Sequence, residues 1–117
     1  MLPKKNRLTK RKEFNYIFKN GKNFSTKLFV LNYIPTKLPN FKVGFSVSKK
    51  VGNAVVRNRT KRRMREAFKQ IQTQIDKNYN YIFVARKNAN EATLEEIKKT
   101  FTYSMQKCNL IKRTKND

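Results

Sequence analysis

The residues of this chain best suited to a chemical role are the cations of positions 57–65, which read RNRTKRRMR. On a helix that turns by about 100° per residue, five polar residues of this run share one face. They are Arg57, Asn58, Lys61, Arg62 and Arg65, with Arg59 and Arg63 on the far flank. Like charges at i, i+4 repel by roughly 0.2–0.5 kcal/mol per pair, and Glu66 is the acidic residue placed to offset them. Because arginine makes bidentate contacts with phosphate, the run predicts binding to a polyanion through its phosphates.

The residues that lead into this run strengthen the prediction. Ser48, Lys49 and Lys50 stand shortly before it, and Asn53 is a suitable N-cap for a helix that begins at Ala54. Free backbone N–H groups at such an N-terminus favour an anion. The alternative interpretation is a charged face that contacts solvent alone, but such faces normally carry both signs of charge.

Composition narrows the classes of function. The 117 residues include 29 Lys plus Arg against 7 Asp plus Glu, and the net charge of +22 suits nucleic acid. With no histidine and a single cysteine, Cys108, the chain lacks the usual zinc sites and the Ser-His-Asp and Cys-His catalytic groups. No apolar run approaches the roughly 18 residues of a membrane span, and the basic N-terminus lacks a secretory apolar region. We therefore expect a cytoplasmic nucleic-acid-binding protein with no catalytic residue, no metal site of its own and no membrane partner.

The hydrophobic pattern predicts one domain, 1–117, with a basic segment at 1–9 and a frayed tail at about 110–117. Helices are predicted at 10–20, 54–75 and 94–108, and strands at 26–34, 41–48 and 80–86. Thr93 and Glu96 form a capping box for the last helix. The first two strands are predicted to pair as an antiparallel hairpin with a long loop. The order α-β-β-α-β-α indicates an α/β (α+β) two-layer sandwich, in which helices pack on a small sheet.

The segment 46–68, SVSKKVGNAVVRNRTKRRMREAF, resembles the signature of the bacterial ribonuclease P protein subunit. The matching elements are Lys49-Lys50, Gly52-Asn53-Ala54-Val55, Arg57-Asn58-Arg59, Lys61-Arg62, Arg65 and Glu66. Outside the signature, the matching residues are Arg7-Leu8, Phe14, Phe18, Gly21, Phe29-Val30-Leu31 and Ala85-Arg86-Lys87. The resemblance runs in order over about residues 5–110.

This resemblance implies a fold similar to the second domain of a small-subunit ribosomal protein, with a left-handed β-α-β crossover around the basic helix. It implies a role in ribonuclease P, the endoribonuclease that removes the 5′ leader of precursor tRNA. The active site and its Mg²⁺ are then expected on the RNA subunit, and the protein alone is expected to be inactive. The implied partners are the catalytic RNA and precursor tRNA, with no obligate protein partner.

Carried over by position, the resemblance also assigns two groups of contacts. The RNA-binding helix and its approach comprise Arg57, Asn58, Arg59, Lys61, Arg62 and Arg65, with Ser48, Lys49, Lys50 and Asn53. The cleft for the single-stranded leader comprises Phe14, Phe18 and Asn32. From the residues alone, an aromatic pair at i, i+4 is more often part of a hydrophobic core than a stacking platform, and only the resemblance brings the two interpretations level. The family often has Tyr where Asn32 stands, and Tyr33 follows on the opposite strand face, so the pattern leaves open which of the two faces the cleft.

Two other functions fit part of the sequence. A ribosomal or ribosome-associated protein that binds rRNA would also be small, basic and without catalytic groups. A nuclease that uses Glu95 and Glu96 is disfavoured, because these residues are about 100° apart on a helix and complement its N-terminal dipole.

Overall fold

Helices and strands follow the order α-β-β-β-α-β-α in the computed structural model, which describes residues 2–111. The helices are α1 (Arg11–Asn20), α2 (Ala54–Ile71) and α3 (Leu94–Lys107). The strands are β1 (Lys22–Ser25), β2 (Phe29–Pro35), β3 (Val43–Ser46) and β4 (Tyr79–Ala85). Short 3-10 turns cover Lys4–Asn6 and Lys87–Glu91. The predicted α+β class is confirmed.

The four strands form one mixed sheet in the order β1-β2-β4-β3. β2 is antiparallel to both of its neighbours, and β3 lies parallel to β4 at the sheet edge. The predicted hairpin is wrong, because β4 lies between β2 and β3. Ile82 and Phe83 of β4 are both fully buried, so this strand carries apolar side chains on its two faces and takes a central position. α2 supplies the long connection that parallel strands require, and the hand of this crossover stays a prediction.

The main core lies between one face of the sheet and helices α2 and α3. Alternation along β2 and β4 places Phe29, Leu31, Tyr81 and Phe83 on this face, where all four are almost fully buried. Phe83 stacks on Phe101 of α3 with ring centroids 4.0 Å apart. Because aromatic side chains bury the largest apolar areas, this layer fixes both helices against the sheet.

The opposite face of the sheet is covered in part by α1. A smaller cluster joins Ile17 of α1 to Leu8 and Ile82, with Phe14 packed against it. The Leu8 N–H donates to the carbonyl of Val43 at 3.0 Å. The basic N-terminal segment is therefore held beside β3, and helices lie on both faces of the sheet.

Three chain segments differ from the sequence-based prediction. The pattern does not predict β1, whose sequence KNFS lacks apolar alternation, and this strand forms because its backbone pairs with β2. α2 ends at Ile71 rather than near position 75, and Ile75 instead forms an antiparallel bridge with Ile111. Leu110 and Ile111 are buried, so the predicted fraying is wrong for these two residues. The rest of that predicted tail, 112–117, lies outside the described residues.

Gly44→Ala is expected to destabilise the fold by about 1 kcal/mol. A Cβ at this position would lie 2.5 Å from Cζ of Phe14 and 3.2 Å from Cβ of Leu8. Overpacking typically costs about 1–3 kcal/mol, and the half-buried Phe14 ring has room to move outward, which favours the lower value. Urea unfolding measures the difference, with Ser46→Ala on the same face of β3 as the control. A Gly44→Ala protein as stable as the wild type would contradict this contact.

Candidate nucleic-acid interface

α2 is fixed by a capped N-terminus and by one buried face. Asn53 is the N-cap, and its Oδ1 accepts a hydrogen bond from the Val56 N–H at 3.0 Å. The buried side chains of the helix are Thr60, Met64, Ala67, Phe68 and Ile71. Because they recur every three or four residues, they set the rotation of α2 and leave its other side to solvent.

The predicted contacts of the basic helix lie on this solvent side. Asn58, Arg59, Arg62 and Arg65 are exposed, and Arg57 and Lys61 are half-buried. The one ion pair within residues 2–111 joins Lys42 Nζ to Glu13 Oε2 at 3.0 Å, between α1 and the segment before β3. In the described part of the chain, no carboxylate therefore neutralises the cations of α2. Their positive charge is available to an external anion.

Arg57 differs from its neighbours in burial. Its Nε is buried and has no hydrogen-bond partner among residues 2–111. A buried donor without a partner costs roughly 1–3 kcal/mol. Rotation of the guanidinium onto an external acceptor would remove that cost, so Arg57 is suited to a ligand contact.

Arg63 has a structural role on the same helix. Its Nη1 donates to the carbonyl of Ala92 at 3.1 Å, and its side chain is half-buried. Ala92 lies between the second 3-10 turn and α3, so this bond ties α2 to the start of α3. The sequence places Arg63 on the far flank of the helix, and in the fold this flank faces the rest of the protein.

The turn before α2 holds the other predicted contacts near the helix N-terminus. Ser48, Lys49 and Lys50 are exposed there. Val51 is buried, and its carbonyl accepts from Asn90 Nδ2 at 3.2 Å, which anchors the turn. Asn53 is also exposed, but its Oδ1 already caps the helix.

The three predicted leader-cleft residues lie on the side of the sheet that α1 covers, and they differ in exposure. Phe14 and Phe18 of α1 have ring centroids 6.4 Å apart. Phe14 is half-buried over Gly44, whereas Phe18 is 45% exposed. Asn32 of β2 is only 8% exposed. Phe18 is therefore the member of this group with a large surface free for contact.

Tyr33 points to the sheet face opposite Asn32. Its ring packs against that of Tyr79, with centroids 5.9 Å apart, at the margin of the main core. Burial and the neighbouring Cys108 side chain raise the pKa of Tyr33 to about 12. The alternation of β2 therefore places Asn32, and not Tyr33, on the side of α1.

A groove of about 560 Å³ joins the basic helix to α1. The N-terminal segment, β3 and α2 form its walls. Phe14 of α1 also lines this groove, together with cations of α2. The lining cations are Arg7, Lys61, Arg62, Arg65 and Lys69. Arg7 and Lys69 are not among the contacts predicted from the sequence. Lys69 follows Arg65 by four residues, so helix periodicity is the signal that could have found it.

Glu96 has a structural role at the start of α3. Glu96 Oε1 accepts from the Thr93 N–H at 2.9 Å, and Thr93 Oγ1 accepts from the Glu96 N–H at 3.1 Å. These hydrogen bonds lower the pKa of Glu96 and confirm the predicted capping box. Across residues 2–111, His, Cys, Asp and Glu form no group of three or more that could hold a metal ion. Nor does this range contain a helix both long and apolar enough to cross a membrane.

Comparison with known protein sequences points to one family. The family described as Ribonuclease P matches residues 2–109. The ribonuclease P protein component of Bacillus cereus (strain G9842) is 40% identical over 110 residues, which covers 93% of this chain and 96% of that protein. The corresponding protein of Bacillus anthracis (strain A0248) is 39% identical over 116 residues, or 98% and 97% of the two chains.

Solved structures with the same fold carry the same description. The RNase P protein of Staphylococcus aureus aligns with a TM-score of 0.83 at 32% identity, over 92% of this chain and 98% of that one. The RNase P protein of Thermotoga maritima aligns with a TM-score of 0.76 at 27% identity, over 86% and 96%. Sequence and fold comparisons therefore agree over most of the chain.

Proposed function

Because this chain belongs to the ribonuclease P protein family, it is a protein component of ribonuclease P, and we propose that two of its surfaces bind different RNAs of that enzyme. The enzyme acts in 5′ processing of tRNA, and its RNA subunit carries the catalysis. The comparisons do not favour the ribosomal alternative.

The first proposed surface is the solvent side of α2, which binds the catalytic RNA. The observation that carries this proposal is the lack of a carboxylate partner, among residues 2–111, for any cation of the helix. A helix face that contacts solvent alone is stabilised when it carries charges of both signs, because like charges repel. A face whose charges are all positive is stabilised when phosphates bind to it. Lys49 and Lys50 extend the positive charge of this surface to the N-terminus of α2.

The second proposed surface is the α1 side of the sheet, which binds the 5′ leader of precursor tRNA. Phe18 supports this proposal because nearly half of its surface is exposed, on a helix that carries several cations. Unpaired bases stack on aromatic side chains with little dependence on sequence. Phe14 supports the site from below, since it packs on Gly44 and against the Phe18 ring.

The proposed role in catalysis is electrostatic. The RNA subunit would hold the Mg²⁺ ions of the reaction, and the protein would reduce repulsion between RNA phosphates through its own cations. Residues 2–111 offer no group of carboxylate, thiol and imidazole side chains that fits a metal ion, so we assign no step to an ion held by the protein. We place this activity in the cytoplasm, where the half-buried thiol of Cys108 would stay reduced.

A magnesium titration tests the proposed function. Precursor tRNA cleavage by the ribonuclease P RNA of Bacillus cereus is measured with and without this protein. We expect the protein to lower the Mg²⁺ concentration needed for half-maximal cleavage, because its cations replace part of the ionic screening. We also expect no cleavage by the protein without RNA.

Two results would count against the proposal. One is an unchanged Mg²⁺ requirement at protein concentrations that saturate the RNA. The other is cleavage by RNA-free protein that disappears when one of its carboxylates is replaced. Isolation of the protein with ribosomal RNA instead of ribonuclease P RNA would favour the alternative function.

A further inference from the structure

We propose that the groove between the N-terminal segment, β3 and α2 accepts one unstacked nucleotide of the RNA subunit, with its base on the groove floor and its phosphate on the rim. This inference rests on the proposed function, because it presupposes that α2 faces that RNA.

The floor of the groove is apolar. Leu8, Val43 and Gly44 are buried there, and Phe14 and Phe45 are half-buried with part of their side chains toward the opening. A floor of this kind offers little to a phosphate. It suits the flat, weakly polar face of a nucleobase, which stacks on aromatic and aliphatic side chains.

The rim has the opposite character. Its cations are Arg7, Lys61, Arg62, Arg65 and Lys69, and Glu66 is its single acidic residue. None of these cations has an ion-pair partner among residues 2–111. A cationic rim above an apolar floor matches a ligand with an anionic backbone and an apolar side group, which is the chemistry of a nucleotide.

The size and rigidity of the groove fit the same ligand. Its volume of about 560 Å³ lies within the roughly 300–1,000 Å³ of typical small-ligand pockets. The wall formed by the N-terminal segment is fixed, because Asn6 Nδ2 donates to the Phe41 carbonyl at 2.7 Å and the Leu8 N–H donates to Val43. The site is therefore preformed, and a bound nucleotide would not have to order it.

Three arguments favour the RNA subunit over the leader as the source of the nucleotide. Four of the five rim cations belong to α2, which we assign to the RNA subunit. The fifth, Arg7, pairs with the edge of β3. Of the three proposed leader-cleft residues, Phe14 lines the groove and Phe18 and Asn32 do not, so most of the proposed leader surface lies elsewhere on α1 and β2.

The first experiment blocks the groove without changing its charge. Thr9 is exposed at the groove, so Thr9→Trp would occupy the opening with little effect on the core. We expect the affinity of the protein for ribonuclease P RNA to fall by about 5- to 150-fold, the range for loss of one base stack. The dependence of that affinity on salt should keep its slope, since no cation is removed. Asn15→Trp, at an exposed position of α1 outside the groove, is the matched control and should bind like the wild type.

The second experiment uses small probes and does not depend on the variant. In an NMR titration of the wild-type protein, AMP should shift the amide signals of Gly44 and Phe45, whereas inorganic phosphate should shift signals of the α2 rim alone. Identical shifts with both probes would mean that the groove binds phosphate only, and would overturn the proposal.

The two experiments also separate this inference from the proposed function. A wild-type protein that does not bind ribonuclease P RNA contradicts the proposed function itself. A wild-type protein that binds this RNA, together with a folded Thr9→Trp variant of equal affinity, removes the nucleotide site alone. If Thr9→Trp does not fold in a urea titration, the AMP result decides.

Discussion

Replacement of Arg57, Arg62 and Arg65 together by alanine is expected to weaken binding to the ribonuclease P RNA by a hundredfold or more while the protein still folds. Each charge-assisted contact contributes roughly 1.5–3 kcal/mol, and about 2.7 kcal/mol in total already gives a factor of about one hundred. The fold should survive because Arg62 and Arg65 are exposed and the Arg57 Nε has no partner among the described residues. Affinity is measured by filter binding at several salt concentrations, and folding by urea titration.

The salt dependence gives this prediction a second readout. Removal of one cation that binds a phosphate should reduce the slope of log affinity against log salt by about 1, so the slope of the triple variant should fall by about 3. The matched control replaces three exposed lysines outside α2, Lys77, Lys87 and Lys99, and changes the net charge by the same amount. If affinity and slope fall as much in the control as in the arginine variant, the interaction is a general effect of net charge and α2 is not the interface.

Phe18→Ala is expected to weaken the binding of precursor tRNA to the holoenzyme by about 5- to 150-fold and to leave the binding of mature tRNA unchanged. Loss of an aromatic stacking platform costs roughly 1–3 kcal/mol per base, and mature tRNA has no leader to stack. Because the Phe18 side chain is 45% exposed, its truncation should remove far less stability than the roughly 3–5 kcal/mol typical of a core phenylalanine. Both affinities and the urea midpoint are measured on the same preparation.

Tyr16→Ala provides the matched control for this variant. Tyr16 is an aromatic residue of the same helix, 60% exposed, and lies about 200° around α1 from Phe18. Its replacement should affect the binding of neither tRNA. A large drop in stability of Phe18→Ala without selectivity for the leader would mean that the aromatic pair of α1 serves the core.

Several features of the candidate site could be predicted because they depend on residues close in sequence. The rotation of α2 follows from the three- and four-residue spacing of its apolar side chains, so the exposed positions of Arg62 and Arg65 were predictable. Asn53 and the Thr93–Glu96 box were predictable as caps, since the groups that bond are within three residues of each other. The same local logic places Asn32 and Tyr33 on opposite sheet faces, although it does not say which face α1 covers.

Short-range periodicity and a motif of contiguous residues were enough to predict the three helices, the N-caps of α2 and α3, the cationic side of α2 and the family. The neighbours of each strand could be known only from the folded chain, because backbone pairing is nearly independent of side-chain identity. The same strands could pair as a β2–β3 hairpin or, as observed, with β4 between β2 and β3. The burial of Ile111 against Ile75 and the bond from Arg63 to the Ala92 carbonyl also needed the fold, because each partner lies about 30 residues or more away in the chain. For the same reason the sequence does not predict the groove that both Arg7 and Lys69 line. Its walls meet only because β3 lies at the edge of the sheet and the N-terminal segment pairs beside it.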